Sequence, residues 1–112
     1  MIAKVMLVNA GYALSREFDY TIPKDMKEKA AVGMRVIVPF GVRNGAEEAI
    51  ITKIGGTSEY SRLKPIRRFM DEAPVLTEEQ ISLCVWMQER YLCTFAQAYK
   101  QVRPPRVAAK VH

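Results

Sequence analysis

Apolar and polar positions alternate with a period near two through the first two-thirds of the chain, then shift to helical spacing in the last third. Ala3-Lys4-Val5-Met6-Leu7-Val8 suits a first strand, and Asn9 to Arg16, with Gly11, suits a loop. Phe18-Asp19-Tyr20-Thr21-Ile22 alternates again, and Pro23 stops it. Lys24 to Val32 tolerates a helical turn. Gly33 then opens Met34-Arg35-Val36-Ile37-Val38, the strongest strand pattern, closed by Pro39-Phe40-Gly41. Arg43-Asn44-Gly45 is a turn signal, because Asn-Gly readily adopts positive φ. Glu48 to Ile54 is the expected return strand of that hairpin. Gly55 through Ser61 reads as a loop, and Leu63 to Met70 as a further, more basic strand.

Thr77-Glu78-Glu79-Gln80 opens the helical third as a capping box: the Thr hydroxyl can accept an orphan N–H while Gln80 reaches back. Ile81, Cys84, Val85, Gln88 and Leu92 follow at helical spacing, and Trp86 and Tyr91 widen the apolar face. A second short helix is expected from Thr94 to Gln101 before Pro104-Pro105 ends regular structure. The pattern predicts an α+β domain: a small curved antiparallel sheet or partly open, OB-like barrel, followed by one or two C-terminal helices. Residues 1–103 form the expected domain and 104–112 a linker or disordered tail.

Composition sharpens this only a little. The 112 residues are 49% hydrophobic and 26% charged, which fits one globular core. Seventeen Lys and Arg against twelve Asp and Glu give a net charge of +5, a surplus that favours a polyanionic partner. Cys84 and Cys93 stand nine residues apart in what reads as helix, too far for a disulfide within it, and are expected to be buried free thiols. The apolar start, Met1 to Ala10, is too short for a secretion signal, and no apolar run approaches the ~20 residues of a membrane span. The expectation is a soluble, cytoplasmic protein.

Catalytic constellations are absent. The only histidine is the terminal His112, where nothing can orient it as a base. Gly55-Gly56-Thr57 lacks the lysine and the following helix of a phosphate loop, and no Gly-x-Ser-x-Gly elbow or metal-ligand cluster occurs. The acid pairs Asp71-Glu72 and Glu78-Glu79 read as a solvated turn and a helix N-terminus. The chain is therefore read as non-catalytic, with no metal and no cofactor of its own.

Three segments remain that composition does not absorb. Phe18-Asp19-Tyr20 before Pro23 places two rings on one side of a strand and a carboxylate on the other. Gly33 to Gly41 combines a core strand with a glycine turn that lets a ligand approach the backbone. Arg62, Lys64, Arg67 and Arg68 concentrate four cations around Pro65 and Ile66. With Asp71-Glu72-Ala73-Pro74-Val75-Leu76, a helix containing Trp and Tyr, and a closing Pro pair, these segments occur in the order seen in one family. The chain resembles, over about residues 3 to 106, the N-terminal domain of the PriA-type replication-restart helicases (primosomal protein N′).

That resemblance implies a domain that captures the 3′-terminal nucleotide of a nascent leading strand at a stalled fork, without sequence specificity. It implies a pocket of Phe18, Asp19, Tyr20, Gly41 and Lys64, with auxiliary phosphate contacts from Arg43, Arg62 and Arg67. Asp19 would accept from a base edge or terminal hydroxyl, the rings would stack a base, and Lys64 would neutralise phosphate. The parent of such a domain is an ATP-dependent 3′–5′ DNA helicase, whose ATP and zinc sites lie outside this chain. Expected partners are forked or single-stranded DNA with a free 3′ end and, through the parent, primosome and single-strand-binding proteins; the fragment is expected to be monomeric and membrane-free. The chain departs from the family in two places. Glu47-Glu48-Ala49 stands where glycine is common in the return strand, and Arg90-Tyr91 replaces a Tyr-Tyr pair. The competing readings are a protein-docking module of the restart machinery, an RNA-binding β-domain and a small stand-alone enzyme.

Overall fold

Strand alternation decides which side of the sheet each residue covers, and in this chain both sides carry apolar sets. The computed structural model describes residues 1–56 and 62–104; part of the loop expected through Ser61, and the tail from Pro105, lie outside the described residues. Among the described residues five strands are formed: β1 (Ile2–Leu7), β2 (Glu17–Thr21), β3 (Arg35–Phe40), β4 (Gly45–Ile54) and β5 (Arg68–Phe69). Two helices follow, α1 (Glu78–Tyr91) and α2 (Phe95–Val102), and single 3-10 turns sit at Tyr12–Leu14 and Lys24–Met26. The sheet runs β2-β1-β4-β3-β5 with every pair antiparallel. This is the expected α+β architecture.

One face of the sheet buries Ala3, Val5, Leu7, Tyr20, Val36, Val38, Ala49 and Ile51 around Met34 and Ile66. The opposite face presents Met6, Val8 and Ile50 to Val75, Leu76, Ile81, Cys84, Phe95, Ala98 and Tyr99 of the helical part. The β1–β4 register slips between Lys4, opposite Lys53, and Val5, opposite Ile51. Thr52 is the extra residue of this bulge, which bends β4 and curls the sheet.

The basic strand expected over Leu63–Met70 is much shorter. Pro65 has no N–H to give to a ladder, and the segment changes partner midway. Thr21 N–H donates to Lys64 O (3.0 Å) and Ile66 N–H to Thr21 O (3.0 Å), after which Arg67 N–H donates to Ile37 O (2.8 Å). Residues 64–67 thus staple the end of β2 to β3 and close the sheet at one end only. By contrast, β3 continues through Pro39, which was expected to end it. Arg35 and Ile37 aim their carbonyls away from β4, toward residues 70 and 67, and Pro39 shares their parity, so its missing N–H costs the β3–β4 ladder nothing.

One charged position is corrected by the fold, and a second finds a role there. Asp71, read as part of a solvated turn, is almost fully buried and receives Arg35 Nε (2.7 Å) and Nη2 (2.8 Å) in a two-pronged pair. Arg35 is only 3% exposed and also reaches Glu48 at 3.5 Å. Hydrogen bonding to Asp71, working against burial, raises the Arg35 pKa above its ordinary value. Glu48 therefore faces the helical side and serves the core rather than the hairpin tip.

The capping box at Thr77 and Gln80 forms as expected, and a second one, Thr94 with Gln97, opens α2. The apolar face of α1 is narrower than its spacing suggests. Ile81 and Cys84 are buried, whereas Val85, Trp86, Tyr91 and Leu92 are exposed. The reason is contact: α1 leans on α2, and only the side carrying Ile81, Cys84 and the half-buried Met87 reaches the sheet-side core. Leu92 adopts the left-handed conformation and ends the helix, so Cys93 lies beyond it, half-buried, while Cys84 is fully buried; both thiols are free.

Candidate nucleic-acid interface

The hairpin between β3 and β4 turns two residues earlier than the Asn-Gly signal suggests, with Val42 and Arg43 at its centre. Gly41 (φ +80°) and Asn44 (φ +52°) bracket the loop, and Asn44 N–H donates to Gly41 O at 3.1 Å. Gly45 already belongs to β4. From the stapled segment, Lys64 Nζ donates to the same Gly41 carbonyl at 2.9 Å, and Arg67 Nη2 donates to Asn44 O at 2.6 Å. Gly41, Lys64 and Arg67 are therefore brought together, with Arg43 exposed at the loop tip.

The two rings of β2 join this corner from the side. Phe18 meets Phe40, the residue before Gly41, edge to face at 5.0 Å, and Arg16 stands over Phe18 at 4.5 Å. Phe18 is half-buried. Tyr20 is buried, and its hydroxyl donates to Pro39 O at 2.7 Å. Burial first, and the charge of Glu47 second, push the Tyr20 hydroxyl up to about 12. Tyr20 thus locks β2 to β3 and offers its ring only to the core.

Asp19 takes the other face of β2, where Lys4, its register neighbour on β1, approaches to 2.8 Å. The Asp19 side chain is 8% exposed, so it is not the solvated edge carboxylate that composition alone would favour. Around it Thr52 Oγ1 lies 2.6 Å from Glu17 Oε2 and 3.1 Å from Lys4 O. Of the five proposed pocket residues, Phe18, Tyr20, Gly41 and Lys64 converge on the 39–41 corner. Asp19 instead shares only β2 with Phe18 and Tyr20, faces the other way, and is oriented by a different lysine. Arg62 is exposed just ahead of this segment.

Lys4, Arg16 and Phe40 are the neighbours that sequence reasoning did not assign to the site. Arg16 and Phe18 are two apart and fall on one side by alternation, so that signal was available; Lys4 required the β1–β2 register. Among the described residues no group of three or more His, Cys, Asp or Glu side chains is arranged to hold a metal ion. No helix among them is long and apolar enough to cross a membrane.

Comparison with known families decides which family the chain belongs to. A family model described as the 3′ DNA-binding domain (3′BD) of PriA matches residues 4–104. The chain belongs to this family of DNA-binding domains. It is 35% identical over 99 residues to the replication restart protein PriA of Bacillus subtilis (strain 168), covering 87% of the chain and 12% of that protein. It is 31% identical over 109 residues to that of Rickettsia conorii, covering 97% and 16% respectively. For Haemophilus influenzae the figures are 29% over 106 residues, 93% and 14%. The chain therefore spans between about one-eighth and one-sixth of the length of these relatives.

Proposed function

We propose that this 3′BD domain captures the 3′-terminal nucleotide of a DNA strand at a fork, reading the free end rather than a sequence. The observation that carries this reading is the corner where Lys64 and Arg67 reach the two ends of the Gly41–Asn44 loop, beside the Phe18–Phe40 ring pair. Cations at that corner suit the last phosphates. Glycine gives close backbone approach, and ring surface stacks any base. Asp19, held by Lys4, supplies an acceptor for a terminal hydroxyl or base edge and repels a terminal phosphate. Arg43 and Arg62 extend the phosphate path. In this reading the domain needs no cofactor of its own, and an ATP-driven 3′–5′ helicase motor and a zinc site belong to a longer parent protein.

Fluorescence anisotropy with single-stranded DNA ending in 3′-hydroxyl or 3′-phosphate tests this. A clear preference for the hydroxyl supports end capture, and equal affinity counts against it. Asp19→Ala is expected to weaken binding to a free end more than binding to an end-blocked strand.

One observation favours a second reading, docking onto other proteins of the restart machinery. Leu83, Val85, Trp86, Tyr91 and Leu92 leave an exposed apolar surface on and just beyond α1, with Trp86 and Tyr91 packed edge to face at 5.8 Å. Partner capture that survives nuclease digestion supports it. Both roles can coexist, because α1 and the hairpin corner use different faces of the domain.

A further inference from the structure

Val42, at the tip of the β3–β4 hairpin, is 100% exposed, the most exposed large apolar side chain among the described residues. A single exposed valine on a mobile loop would carry no meaning, since such a loop can fold its side chain onto a neighbour. This loop is held at both ends. Gly41 O accepts from Asn44 N–H and from Lys64 Nζ, and Asn44 O accepts from Arg67 Nη2. Between those two tethers only Val42 and Arg43 project. The result is an apolar point standing out from the surface inside a collar of cations, Arg43, Lys64 and Arg67.

We propose that Val42 is a wedge that presses against the base step beside the captured strand end and unstacks it when that end is recessed in a duplex. The collar explains the partner: cations on each side meet the two phosphate backbones, and the apolar point between them meets base faces, which are the apolar part of a duplex. A protein partner of matching acidic charge would leave the valine against polar groups. The proposal rests on the end-capture reading for where the duplex lies, and adds what the hairpin does to it.

The experiment uses an oligonucleotide duplex with a recessed 3′ end and 2-aminopurine at the penultimate pair, whose fluorescence rises on unstacking. The wild-type protein brightens this probe on binding. Val42→Ser, which removes apolar surface from a side chain without protein neighbours and so leaves the fold intact, abolishes the brightening. It lowers affinity for the recessed duplex by about three- to tenfold, as loss of partial valine burial should, and leaves affinity for a single-stranded free end unchanged. Val42→Leu keeps the brightening. Brightening that survives Val42→Ser, or a wild-type protein that binds the recessed duplex without brightening, overturns the wedge. The two readings separate in the controls. Preference for free over blocked ends without brightening removes the wedge and leaves end capture, whereas Val42-dependent brightening that is equal at free and blocked ends removes end capture and leaves the wedge.

Discussion

Lys4 Nζ lies 2.8 Å from Asp19 Oδ1 across the β1–β2 pair, at directly opposed register positions. A cross-strand ion pair of this kind fixes the direction of the carboxylate more than it stabilises the fold, because Lys4 stays partly exposed and solvent weakens the attraction. Lys4→Met is therefore expected to leave thermal stability almost unchanged. It should weaken binding to a free 3′ end roughly fivefold, equivalent to about 1 kcal/mol. Lys4→Arg should restore most of the loss. Anisotropy with free and blocked oligonucleotides checks this: equal losses on both would make Lys4 a general phosphate contact instead.

Gly33 is the joint between the sheet and the segment leading to α1. Its N–H donates to Ile51 O, its carbonyl accepts from Val75 and Leu76, and a Cβ there would come within 1.9 Å of Leu76 O at φ +95°. Gly33→Ala combines left-handed strain with a clash against backbone and should cost about 3 kcal/mol or more. That corresponds to a fall in Tm of at least about 12 °C for a domain of this size. Gly56→Ala has similar φ (+82°), but among the described residues nothing lies within 4 Å of the new methyl, and it should cost only about 1–2 kcal/mol. Thermal unfolding of the two variants separates steric from conformational cost.

Arg35 and Asp71 form a buried pair linking β3 to the turn before α1. Arg35→Met strands the Asp71 and Glu48 carboxylates and should destabilise by about 3–5 kcal/mol, as should Asp71→Leu for the guanidinium. The double variant Arg35→Met/Asp71→Leu should recover much of the loss, since an apolar pair of similar volume removes the desolvation penalty of that pair and leaves only the partly exposed Glu48 without its arginine. Urea denaturation of all four proteins gives the coupling; strictly additive losses would mean that the two side chains act independently.

Local signals carried most of the architecture. The Val36 and Val38 alternation, the Gly41–Gly45 turn region and the Thr77–Gln80 box each depend on residues within a few positions, so each was legible in the chain. What failed depended on distant partners. Asp71 looked solvated because its partner lies 36 residues away. Val85 and Leu92 looked buried because helical spacing gives a face without saying whether anything covers it. Leu63–Met70 looked like one strand because nothing local shows that Ile66 and Arg67 pair with different neighbours. At the candidate site, the family pattern named both Gly41 and Lys64, which the fold joins by one hydrogen bond, yet which lysine approaches Asp19 is set by β1–β2 register.

The buried Tyr20 hydroxyl gives the protein a specific alkaline weakness. Its pKa stands near 12, above the value near 10 expected in the unfolded chain. A group whose proton is held more tightly when folded stabilises fully below its unfolded pKa, and the contribution is lost as pH rises from about 10 through 12. The urea midpoint should therefore fall across that window. In Tyr20→Phe the fall should be shallower, while stability near neutral pH drops by about 1 kcal/mol because the Pro39 carbonyl loses its donor. Parallel pH profiles for the two proteins would disprove the assignment.

Salt dependence distinguishes cations that touch DNA from cations that hold the hairpin. For single strands, each phosphate contact contributes about 0.7 to the slope of log K against log salt. Arg43 projects from the loop tip without bracing it, so Arg43→Ala should reduce that slope by about 0.7 with little change in preference for a free end. Arg67 Nη2 is spent on Asn44 O, and Lys64 Nζ on Gly41 O, so each must either leave the loop or share its donors to meet phosphate. An ammonium has three donors, and Lys64 can keep Gly41 while facing a phosphate. Lys64→Ala should then lower the slope like Arg43→Ala and, because the Gly41 corner loosens, also erode the free-end preference. A Lys64→Ala protein with unaltered slope but lost end preference would show that this lysine acts only by shaping the turn.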